Sequence, residues 1–182
     1  MARTVSPRAA RDFLAAERPD LYYASICPGL VLGPLLDRDA GSSAEVIAMF
    51  LRGTYPAYPK LCFGVVDVRD VATMHRLALE RPLPSGGRYM AASEAAWFAD
   101  MLRPIRAQLG ARARKVPRHA LPNALVRLLA LVDPGSRAIV AELGRALQLD
   151  NRQTRQALQL DFIPVTQSAP AMAQSLLDLG LV

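Results

Sequence analysis

Asp67 and Asp70, three residues apart in "DVRDVATMHRLALE", are side chains of the kind that general acid/base catalysis uses. No partner group stands near them in the sequence. At the start of a helix the same two carboxylates serve as a cap and as a partner for the helix dipole, and that reading is adopted for both. His75 and His119, with Cys27 and Cys62, lie too far apart in sequence to give a metal-ligand spacing. His75, one turn from Val71 and Leu79, reads as a helix-packing histidine, and His119 in "KVPRHALP" as a loop residue. There is no Gly-x-Ser-x-Gly nucleophile motif. The run "RARKVPR", residues 112 to 118, carries enough charge to attract phosphate or RNA. It lacks interleaved aromatics and matches no nucleic-acid module, so it reads as a solvated basic turn.

The stretch with the clearest chemical suggestion carries no charge at all. "CPGLVLGPLL", residues 27 to 36, closes an uncharged run that begins at Leu21 and holds two Pro-containing turns. A strand that stops at Pro28 and continues into an apolar loop implies a surface for that loop to lie against. A bound cofactor or substrate is the expected surface. Taken alone, Pro28 and Pro34 also serve simply to end a strand and shape a loop.

These residues need elements to hold them. Ser6 and Pro7 predict a helix start, with Ala10, Phe13 and Leu14 on one face up to about Glu17. "LYYASIC" predicts a strand covered on both faces, as in a parallel sheet. "SSAEVIAMFLRG" predicts a helix with a capping box from Ser42 to Glu45 and Gly53 past its end. "LCFGVVDV" predicts a strand that runs straight into the helix capped by Asp67. "GRYMAA" predicts a short strand. From Ser93 onward helical patterns dominate, divided by Pro104, Pro117, Pro122, Pro134 and Pro164. The order implies an α/β layer followed by a mostly helical cap.

Composition agrees with a folded globular chain. Of 182 residues, 52% are hydrophobic and 21% charged, and the net charge of +6 comes almost wholly from arginine. Cys27 and Cys62 read as small buried hydrophobes in a reducing compartment. No run approaches the roughly 18 apolar residues of a transmembrane helix, and no signal peptide is convincing, so a cytoplasmic location is the default, with neither nucleic-acid nor membrane partners.

The order of elements, with the words "ICPGLVLGPLL", "GVVDVRDVATMHRLALE", "GRYMAA" and the terminal "SLLDLGLV", resembles the C-terminal half of the extended short-chain dehydrogenase/reductase (NAD-dependent epimerase/dehydratase) family. The nearest branch is that of dihydroflavonol reductases, cinnamoyl-CoA reductases and related aldehyde reductases. The resemblance implies the last strands of a Rossmann-type parallel sheet within residues 1–92, with 33–60 reaching into a cap, and a helical substrate-binding region over 93–182. It implies NADP or NAD as cofactor and a small carbonyl substrate. By position in the family pattern, Pro28, Val31 and Ser43 line the cofactor, and Met49, Tyr55 and Tyr58 are candidates for the substrate wall.

The family's Gly-rich phosphate turn and Tyr-x-x-x-Lys pair do not occur here. Arg3 falls at the lysine position, and the tyrosine would precede Met1. Arginine does not replace that lysine simply, because its planar fork differs in size and hydrogen-bond geometry. The expectation is a C-terminal reductase segment, inactive alone, whose partner is either a missing N-terminal half or a second copy of itself. The alternative is a non-catalytic remnant that binds a small molecule or a protein.

Overall fold

The computed structural model describes residues 7–81 and 83–182. Ser6 and Arg3, for which the sequence carries expectations, lie outside the described residues. Helix α1 spans Pro7–Glu17, followed by β1 (Ala24–Pro28), β2 (Leu30–Leu32), α2 (Ser42–Arg52), β3 (Cys62–Asp67), α3 (Val68–Glu80), β4 (Gly87–Ala91) and β5 (Glu94–Trp97). The helical remainder comprises α4 (Phe98–Leu109), α5 (Asn123–Leu129), α6 (Pro134–Ile139), α7 (Arg152–Leu158) and α8 (Val165–Asp178).

The strands form two small sheets. Strand β1 pairs in parallel with β4, Ile26 opposite Tyr89 and Pro28 opposite Ala91. In the second sheet β2 runs parallel to β3, with Leu30 opposite Val65, and β5 runs antiparallel to β3, with Cys62 opposite Trp97. Two departures from the sequence reading follow. "LVL" is a strand rather than loop, and "SEAAWFADML" begins as strand β5 before turning helical at Phe98. Both segments gain their ladder from β3, a distant part of the chain, so local periodicity did not reveal them.

Gly29 makes the switch between sheets. Its amide still donates to Ala91 O at 3.1 Å, extending the β1 ladder, while Leu30 already pairs with β3. A Cβ at Gly29 would stand 2.0 Å from Gly64 O, so the two backbones touch where the sheets meet.

Side chains alternate across β3 and feed two cores. Val65 enters the larger core with Leu32, Ile47, Phe50, Met101, Leu102, Ile105 and Leu176. Val66 enters the smaller one with Met74, Leu77, Tyr89, Ala91 and Leu158. Pro104 does not divide the chain as expected but lies inside α4. An interior proline costs about 3 kcal/mol. Burial of Met101, Leu102 and Ile105, each 0% exposed, contributes roughly 1.5–3 kcal/mol apiece and outweighs it.

Among the described residues the β1–β4 sheet packs on a hydrophobic core on one side only. Ala24 and Ile26 pack on the smaller core, whereas on the other face Met90 is 42% exposed. The expectation of a strand buried on both faces is therefore corrected: β1 is only half-buried, and on its second face Ser25 and Cys27 lie beside the exposed Arg88 and Met90. Phe13 of α1 is likewise exposed, at 61%.

Candidate functional site

The carried-over residues lie along one path from the end of β1 to α2. Pro28 ends β1 with its side chain exposed, Val31 sits in β2 opposite Val66, half-buried against the smaller core, and Ser43 is the second residue of α2. Gly33 follows β2 with φ +111°, and a side chain there would also meet the Asp67 carboxylate at 2.9 Å. The next loop is open. Leu35 packs on the larger core, but Leu36 is 98% exposed, so nothing among the described residues receives it.

The start of α2 differs from expectation. Its N-cap is Gly41, with no side-chain hydrogen bond, and Ser42 is the first helical residue. Glu45 does not reach back: its carboxylate takes Arg52 Nη1 at 2.8 Å, so the capping box is replaced by an ion pair along the helix. The first-turn amides are left without a side-chain cap, which leaves them able to receive an anionic group.

The substrate-wall candidates separate. Met49 is half-buried in α2, and Tyr55 is 49% exposed with its ring edge-on to Phe50 at 6.4 Å. Tyr58 is buried, and its backbone bridges to His119 and Leu121. It lines an apolar slot of about 240 Å³ with Pro59, Trp97, Phe98 and Ala120, which suits an aliphatic or aromatic group. Sequence reasoning missed this slot because Trp97 reaches it only through the unexpected strand β5.

Asp67 and Asp70 prove to be structural. Asp67 caps α3 by accepting from the Arg69 amide at 2.9 Å, and its carboxylate also takes the Arg69 guanidinium at 2.8 Å through two bonds. Burial alone would raise its carboxyl, but the Arg69 hydrogen bonds win and hold it below the usual carboxylate range. Asp70, only 4% exposed, accepts from the Ile163 amide at 2.8 Å and ties the segment before α8 to α3. Its carboxyl is pushed up, chiefly by burial and further by Asp67, against the pull of the Ile163 amide.

A raised carboxyl favours the folded state most when protonated. That contribution is fully present below the unfolded carboxylate pKa near 3.9 and is lost as pH rises through the higher folded value. Asp70→Asn keeps an acceptor for Ile163 and removes the charge. Its melting temperature relative to the parent is expected to climb between pH 4 and pH 7, and a pH-independent difference would refute this role.

His75 corrects another expectation: it is exposed, with Nδ1 2.8 Å from Val71 O, and does not pack. Cys27 and Cys62 are free and half-buried rather than fully buried. Burial pushes the Cys27 thiol up, but Ser25 and Arg88, each 3.6 Å from the sulfur, together bring it below the usual thiol range. Among the described residues no cluster of three or more potential metal ligands occurs, and no helix is long and apolar enough to cross a membrane.

The fold defines a class: a Rossmann-type α/β segment with a helical cap. No family model matches the sequence. Similarity to individual proteins is specific. The chain is 36% identical over 91 residues to cinnamoyl-CoA reductase 1 of Oryza sativa, a match covering 50% of this chain and 27% of that protein. It is 44% identical over 121 residues to cinnamoyl-CoA reductase 2 of Arabidopsis thaliana, covering 66% and 33%. The structure of yeast methylglyoxal/isovaleraldehyde reductase Gre2, complexed with NADPH, superposes with a TM-score of 0.71 at 21% identity over 96% of this chain and 53% of that one. The chain is thus similar, over part of their length, to reductases of the cinnamoyl-CoA and dihydroflavonol reductase-like branch, as a partial short-chain dehydrogenase/reductase would be. The matches span about a third of the length of these curated relatives, and about half of the Gre2 chain.

Proposed function

We propose that this chain is the cofactor-roof and substrate-cap segment of an NAD(P)-dependent oxidoreductase that reduces an aldehyde or ketone to an alcohol. The observation that carries the reading is the path from Pro28 to Ser43. It combines a parallel strand ending at a proline, an apolar loop with Leu36 in the open, and a helix start without a side-chain cap. Ligands of such sheets sit beyond the carboxyl ends of the strands, with phosphate at a helix N-terminus.

The residues present fit a dinucleotide on that count. Pro28 and Val31 would flank its nicotinamide, and Ser43 with the first α2 amides would take a phosphate. Bound nicotinamide supplies the hydride. Met49 and Tyr55 would border the carbonyl substrate, and Tyr58 would reach it through the apolar slot. The division into a sheet segment over 1–92 and a cap over 93–182 belongs to the same reading.

A proton donor of the Tyr-x-x-x-Lys kind is absent from this sequence, so the chain alone is expected to be silent. Titrating the chain into NADPH should give no saturable quenching of nicotinamide fluorescence at micromolar concentrations, and saturable quenching would overturn the claim of silence. The reductase reading itself is tested by the DNA immediately before Met1. Reading in frame through a Tyr-x-x-x motif and a Gly-rich turn supports it; a promoter and ribosome site at that place favours the non-catalytic binding module. The specific feature on the side of that second reading is the Tyr58–Trp97 slot, which needs no further chain to exist.

A further inference from the structure

Between residues 101 and 120 the chain carries Arg103, Arg106, Arg112, Arg114, Lys115 and Arg118, and no carboxylate. The fold gathers three of them. Helix α4 brings Arg106, and the chain then turns at Gly110 through a 3-10 turn, Gly110–Ala113. Ala113 and Val116 plug into the larger core at 1% and 2% exposure. The Arg106 guanidinium donates to Pro117 O at 2.6 Å and pins the far side of the turn. Arg114 and Arg118 therefore flank an anchored Val116–Pro117 pair and, with Arg106, line one depression of about 310 Å³.

Many surface arginines elsewhere have acid partners, as in Arg52 with Glu45, Arg76 with Glu80 and Arg152 with Asp150. Arg112, beside the depression in sequence, is occupied by Asp178 and Gln174. Among the described residues no carboxylate lies within 4.0 Å of the Arg106, Arg114 or Arg118 side chains. Burial lowers the Arg106 guanidinium, and Arg118 and Arg103 lower it further against the opposing influence of Tyr58, as expected of like charges held together.

We propose that this depression is an anion site for the phosphoryl group of a small soluble molecule. Guanidinium forks match phosphate oxygens two at a time, and three around one concavity supply donors from different directions. The lining is completed by Gly110, Ala111 and Ala113, with no aromatic side chain on which a nucleobase would stack. That composition separates the site from a single-strand nucleic-acid groove. It lies in the helical region, and the proposal does not depend on the reductase reading.

Inorganic pyrophosphate is the probe, titrated calorimetrically into the full chain at low ionic strength without NADPH. Saturable binding is expected, weakened about tenfold or more in R114Q/R118Q, since each 1.4 kcal/mol lost is a factor of ten. R76Q, a surface arginine outside the depression, should bind as the parent does. Absence of saturable binding, or equal binding by R114Q/R118Q, overturns the site. So does attachment to phosphatidylglycerol vesicles or to single-stranded RNA by a chain that ignores pyrophosphate.

Discussion

Gly29→Ala is expected to destabilise the chain by about 3 kcal/mol or more, above the usual range for overpacking. The added Cβ would sit 2.0 Å from Gly64 O and 2.8 Å from Gly64 C, and both are backbone atoms of β3. Neither can swing aside as a side chain does. Relief requires β1 and β3 to part at the point where the chain leaves one sheet for the other, which disturbs both cores through Leu32 and Val66. Gly64→Ala offers a contrast, because its nearest obstacles are the tips of Leu149 and Leu147 and the Ala92 Cβ, at 3.0 to 3.5 Å. Urea unfolding followed by circular dichroism should show the larger loss at Gly29. A Gly29→Ala chain within about 0.5 kcal/mol of the parent would mean that the sheets do not meet as described.

The same junction shows what the sequence made legible. Strand β3 was readable because "LCFGVVDV" is rich in β-formers and passes directly into a helix capped by Asp67, whose side chain does accept the Arg69 amide. Strand β2 was not, since three residues of "LVL" have no period of their own and gain their ladder from β3. Strand β5 was hidden inside a helical pattern that holds only from Phe98 onward. In α2 the choice between Gly41 and Ser42 as N-cap turns on where the backbone leaves the extended region, which side-chain type alone does not decide. For the candidate site, proline placed the end of β1 well, because it punctuates any strand. The exposure of Leu36 was not readable, since an apolar residue in a sequence does not announce whether its own chain covers it.

The parent chain is expected to self-associate at tens of micromolar, sedimenting as dimers or larger species, because among the described residues its β1–β4 sheet has two strands with apolar side chains exposed beside it. Among the described residues strand β1 pairs with β4 alone, and a two-stranded sheet is marginal without further partners. Its half-buried second face is accompanied by Phe13 of α1 at 61% exposure, Tyr22 at 46% and Leu21 at 44%. An edge with unpaired amides and carbonyls beside apolar surface favours addition of another strand, whether from a second copy or from the polypeptide that would complete the sheet. Phe13→Glu combined with Tyr22→Lys leaves both hydrophobic cores untouched and places charge on the approach, so it should raise the monomer fraction severalfold in sedimentation velocity. A parent chain that is a stable monomer with one sharp thermal transition would contradict this. Such a result would show that β1 and α1 need no neighbour, and would remove the physical reason for placing further strands beside them.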